Sequence, residues 1–106
     1  MKIVHVMNWY IPGMGYQENF LPAEQKKLGH DVYIITSDRV PHYSGYEKNV
    51  GRLIGRRIIG AGTFYERGVT IYRLPTLFEV KKGGQVLVKG LFGKLKDIKP
   101  DVVHAH

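Results

Sequence analysis

Cysteine is absent from the chain. Disulfides, thiolate metal ligands and a cysteine nucleophile are therefore excluded, and the lack of thiols fits a reducing cytosol. Long apolar runs are missing too, since none approaches the ~20 residues of a membrane-spanning helix. The opening Met1-Lys2-Ile3-Val4-His5-Val6 does not read as a signal peptide: its short apolar run meets polar Asn8, and no small-residue cleavage site follows. Acidic residues are scarce, nine against sixteen Lys and Arg, for a formal net charge of +7. Such an excess attracts phosphate in nucleic acid, nucleotide-sugar or anionic lipid alike, and composition does not choose among them.

What is present suits one domain with a core. The 106 residues are 43% hydrophobic and 11% aromatic, which is not a disordered composition. Ile3 to Met7 and Asp31 to Thr36 are short apolar, β-branched runs of the kind buried in parallel sheets. Between them lie a loop with Pro12, Gly13 and Gly15 and a predicted helix over Tyr16–Leu28, stopped by Gly29. Pro22 lies inside that helix, so the helix is alternatively expected to begin there. Strand, glycine loop, helix and strand make one right-handed βαβ unit.

The stretch from Ser37 to Gly68 is too long for an ordinary connection, and is expected to be functional, mobile or partly ordered as extra strand. Arg57-Ile58-Ile59 and Thr63-Phe64-Tyr65 are the strand candidates. A turn at Glu66-Arg67-Gly68 leads into a strand over Val69–Leu74, ended by Pro75. Val86–Ile98 reads as an amphipathic helix stopped by Pro100, and Asp101–His106 as a further strand. The expected fold is α/β, a Rossmann-like three-layer arrangement around a mainly parallel sheet in the strand order three-two-one-four. The crossover helix that should cover the last strand is missing, so the domain is expected to be truncated after the strand ending at His106.

In open α/β sheets, ligands bind beyond the carboxyl ends of the strands, where the strand order switches. Gly13 and Gly15 fall there, either as a loop whose amides face a phosphate or as a tight turn. Glu18 occupies the place of the third small residue of the dinucleotide-binding fingerprint, which argues against ordinary dinucleotide binding. His104 and His106 share one face of the last strand. His104 reads first as a hydrogen-bonded core residue, whereas His106, at the carboxyl end, reads as functional. No third ligand at useful spacing accompanies them, so a metal site is not expected. His30 is taken as a helix-terminus residue and His5 as core. Tyr43, Tyr46, Arg52, Arg56 and Arg57 can stack sugar rings, grip phosphate, or simply form a solvated loop, the last being the first reading.

Taken in order, these segments resemble the N-terminal domain of family 4 glycosyltransferases of the GT-B type. The first strand is similar, and Pro12-Gly13-Met14-Gly15-Tyr16-Gln17-Glu18 resembles their Pro-rich, Gly-Gly-x-Glu loop, with the glycines split by Met14. Lys27-Leu28-Gly29-His30-Asp31-Val32, Gly68-Val69-Thr70-Ile71-Tyr72-Arg73-Leu74-Pro75 and Lys99-Pro100-Asp101-Val102-Val103-His104-Ala105-His106 are the specific matches. The resemblance implies a retaining enzyme of hexosyltransferase type. It would move sugar from a nucleotide-sugar donor to a lipid-linked, polysaccharide or small-molecule acceptor.

By the family pattern the domain from 1 to 106 holds the acceptor, and the nucleotide lies mainly on a second domain, so this chain alone is expected to be inactive. His106 would be the catalytic residue. Gly13, Gly15, Glu18, Tyr43 and His104 would bind substrate. No metal and no cofactor beyond the donor substrate would be needed, since protein cations and helix dipoles can neutralise the diphosphate. The expected location is the cytoplasm, with peripheral contact at the inner membrane face allowed, and the uncovered last strand would favour a homodimer of the fragment. The alternative is a stand-alone nucleotide- or phosphate-binding regulatory module. Nucleic-acid binding has only the charge in its favour.

Overall fold

A mainly apolar, β-branched run favours an extended chain covered on both faces. The computed structural model, which describes residues 1–10, 17–39, 60–80 and 85–106, builds its sheet on two such runs. Strand β1 (Lys2–Val6) pairs in parallel with β2 (Asp31–Ser37), with Ile3 opposite Val32 and His5 opposite Ile34. Helix α1 (Gln17–Lys27) joins them. It runs through Pro22 rather than starting at it, despite the bond to the preceding turn that proline cannot make.

Strand β3 (Gly62–Glu66) and β4 (Val69–Leu74) form an antiparallel hairpin with Glu66 opposite Val69. Its two-residue loop holds Arg67 at φ 52° and Gly68 at φ 81°. Both central residues with positive φ give the turn whose twist matches that of the flanking strands. β4 adds in parallel to β2, and β7 (Val102–Ala105) adds in parallel to the other side of β1. The sheet order is therefore β3-β4-β2-β1-β7. The expected order of the parallel strands is present, with one antiparallel strand added at an edge.

The segment from 76 to 98 differs from expectation. After Pro75, where no element was expected, β5 (Thr76–Val80) pairs antiparallel with β6 (Gln85–Val88) in a separate two-stranded sheet. The helix predicted over Val86–Ile98 is only its second part, α2 (Leu91–Ile98). Gly90 at φ 86° separates the two, a left-handed conformation that no continuing helix adopts. Val86-Leu87-Val88 falls on the helical stripe by coincidence of spacing, but its β-branched residues suit a strand.

Two apolar clusters lie on opposite faces of the main sheet. Val4, Ile35 and Ile98 are packed together with Leu91 and Leu95 of α2. Met7, Tyr10, Val32, Ile34, Val69 and Ile71 form the other cluster. α1 contacts β2, and its Gln25 meets His5, whose side chain lies on the face opposite Val4. The described residues thus form an α/β arrangement with a helix on each face of a mostly parallel sheet. Among the described residues no helix is long and apolar enough to cross a membrane.

Candidate functional site

The chain lays β2 and β4 to one side of β1 and then returns to place β7 on the other. The point where the order switches therefore falls between β1 and β7, where the carboxyl ends of parallel strands leave a crevice. A cleft of about 330 Å³ opens there. Met7 and Asn8 at the exit of β1, Thr36 of β2 and His106 after β7 contribute to its walls, as does the Gly90–Gly93 start of α2. A helix start directs unpaired amide N–H groups and a partial positive charge outward, and so suits an anion. Thr36 is 1% exposed, and its hydroxyl has no hydrogen-bond partner among the described residues.

Parallel pairing sets His5 opposite His104, and both share a face with His106. His5 is fully buried. Its Nε2 lies 2.7 Å from the Gln25 carbonyl oxygen and its Nδ1 lies 2.9 Å from His106 Nε2. An amide oxygen only accepts, so Nε2 of His5 carries the hydrogen and Nδ1 offers its lone pair toward His106. His104 and His106 stack with ring centroids 4.4 Å apart. Burial holds the His5 imidazole below its ordinary pKa, and the neighbouring His106 and His104 add to that, while the bond to Gln25 opposes it. The shared face of His104 and His106 is as expected. The ground for excluding a metal is not, because β1 supplies the missing third imidazole.

A second polar cluster sits at the carboxyl ends of β2 and β4. Arg73 is 3% exposed, donating from Nη1 to the Ser37 carbonyl at 3.0 Å and from Nη2 to the Tyr10 carbonyl at 2.7 Å. Burial lowers its pKa to about 10, so it remains charged at neutral pH. Tyr10 donates its hydroxyl to Glu66 at 2.8 Å, and burial together with that carboxylate raises the phenol's pKa. Thr76 donates to Asp38 at 2.6 Å. One guanidinium thus ties the exits of β1 and β2 to β4, and fixes the rim from which the glycine segment departs.

Of the residues singled out from sequence, His104 and His106 are brought together beside the cleft. His30 lies at the helix-strand junction, where its Nδ1 is 3.2 Å from the amino group of Met1. Glu18 is in α1, with its side chain outside the description. Gly13, Gly15, Tyr43, Tyr46, Arg52, Arg56, Arg57 and the strand candidate Arg57-Ile58-Ile59 lie outside the described residues. Sequence reasoning missed Arg73 and the role of His5. The strand order it predicted already places His5 beside His104, and an arginine inside an apolar strand was the signal for the other. Comparison of the chain with protein-family models, curated proteins and solved structures gave no match.

Proposed function

We propose that this chain is the acceptor-side part of the Rossmann-like N-terminal domain of a retaining family 4 glycosyltransferase. The observation that carries the reading is the cleft at the β1–β7 switch point, with His106 on its wall. The motif-bearing segments supply support, because those on β1, β2, β4 and β7 form adjacent parallel strands whose carboxyl ends face one way.

In this reading the amides at the start of α2 face negative charge in the cleft, where fixed dipoles need no reorganisation as charge develops on a leaving diphosphate. The Thr36 hydroxyl would bond a sugar or phosphate oxygen. His106, held by His5 and in turn by Gln25, would present its imidazole to the donor sugar at the reacting centre. The Gly13-Met14-Gly15 segment would approach the donor phosphate with its backbone, and Glu18, Tyr43 and His104 would bind substrate. The basic net charge favours approach of the anionic donor.

The test is a panel of nucleotide-sugars given to the protein expressed from its complete reading frame, with the anomeric configuration of any product read by NMR. Transfer with retention is expected, together with no turnover by residues 1–106 alone. Turnover by the 106-residue chain would refute the division of labour between domains. Nucleotide binding without transfer to any acceptor would favour a phosphate-binding regulatory module instead.

A further inference from the structure

We propose that His5, His104 and His106 form a binding site for a divalent transition metal of the zinc class. The inference goes beyond the transferase reading and does not depend on it. One potential ligand nitrogen from each of the three residues lies within 4.8 Å of the others. Zinc–imidazole bonds of about 2.0–2.1 Å at tetrahedral angles require ligand nitrogens roughly 3.4 Å apart. The His5–His106 pair is already closer than that, at 2.9 Å. His104 and His106 are exposed side chains, so they can complete the convergence by rotation about their own bonds.

The three imidazoles differ in the way a metal site needs. His5 is anchored: it is fully buried on a central strand, and its outer nitrogen is held by Gln25 at 2.7 Å. A histidine ligand whose other N–H is given to a carbonyl has its tautomer and ring orientation set in advance. The lone pair of His5 Nδ1 therefore points toward His106 without rearrangement, and the His104 ring stacks on that of His106. In the metal-free chain a shared hydrogen between His5 and His106 occupies that place. A cation would replace it, with the His106 proton moving to Nδ1 or to solvent. Three neutral imidazoles with a fourth position open to water suit zinc, and also copper or nickel, better than calcium or magnesium, which prefer oxygen.

The experiment uses the untagged, chelator-stripped chain. Zinc binding is followed by calorimetry, cobalt(II) binding by its visible spectrum, and the ring nitrogens of His5 by NMR. One equivalent should bind, cobalt should give the intense bands of a tetrahedral or five-coordinate site, and the Nδ1 resonance of His5 should shift. His104→Ala and His106→Ala should each weaken zinc binding at least about tenfold, and Gln25→Leu by about tenfold. His30→Ala, which removes the imidazole beside the N-terminal amine, should leave affinity unchanged. These variants lie on exposed or helical positions, so the test does not rest on replacing buried His5. No stoichiometric binding by the wild-type chain would overturn the proposal. So would binding that survives either His104→Ala or His106→Ala, or that leaves the His5 resonance in place.

Discussion

Arg73 takes a guanidinium into the core of a strand whose neighbours, Val69 and Ile71, are wholly apolar on the same face. Its two donated bonds go to the Ser37 and Tyr10 carbonyls, and leaving a buried polar group without its partner costs about 1–3 kcal/mol. Arg73→Met keeps the volume and the apolar stem and removes both bonds. It should lower stability by about 2–4 kcal/mol, as read by urea unfolding. A loss under about 0.5 kcal/mol, the range of an ordinary surface change, would show that the guanidinium is not holding the loop exits together.

His5 gives stability a dependence on pH. In the unfolded chain its imidazole takes up a proton below about pH 6.5, whereas in the folded chain burial resists protonation. The unfolded state therefore binds more protons between pH 6.5 and the lowered folded value, and stability falls as pH drops through that window. The slope from this group is at most about 1.4 kcal/mol per pH unit. Melting temperatures in metal-free buffer should decline from pH 7.5 to pH 5.5, and less steeply in His5→Gln. Equal slopes for the two proteins would contradict the assignment.

Among elements, the central strands were legible because β-branched runs between glycine and proline punctuation leave few alternatives. The division of the segment from 85 to 98 was not, since a four-residue strand and an eight-residue helix share one apolar stripe on paper. Only the backbone at Gly90 separates them. That position and Lys99 frame α2 with left-handed residues of opposite suitability. Gly90 sits at φ 86°, with open space where a Cβ would go, so Gly90→Ala should destabilise by about 1 kcal/mol through backbone strain alone. Lys99 adopts φ 54° and ψ 61° at the helix C-cap, where glycine is preferred. Lys99→Gly should therefore stabilise by about 0.5–1 kcal/mol. Thermal unfolding of both variants checks the pair, and the same sign for both would contradict the cap assignment.

For the whole molecule, right-handed crossovers made the order of the parallel strands predictable, while the two-stranded β5–β6 sheet was hidden because Val86-Leu87-Val88 also fits the apolar stripe of the helix that follows. The histidine cluster was half legible. Alternation put His104 and His106 on one face, but His5 joins them only through β1–β7 adjacency, a fact about topology and not about local spacing. Among the described residues β7 lies at a sheet edge, with Val102 43% and Val103 49% exposed. Unpaired edge groups beside apolar surface favour association. The 106-residue chain should accordingly form dimers at high concentration by light scattering, and Val103→Lys should shift it toward monomer. A wild-type chain that stays monomeric throughout would contradict this.

The placement of the site at the β1–β7 switch point is tested most directly by comparing His106→Ala with His30→Ala in the protein expressed from its complete reading frame, at matched melting temperature. His106 lies on the cleft wall, whereas His30 lies at the amino ends of the strands, beside Met1. Under the proposed transferase reading, His106→Ala should lower turnover of a nucleotide-sugar donor by at least about a hundredfold, the scale of losing a positioned acid–base or hydrogen-bonding group at a reacting centre, while His30→Ala should stay within about twofold of wild type. Similar losses in the two variants, or full turnover in His106→Ala, would contradict it.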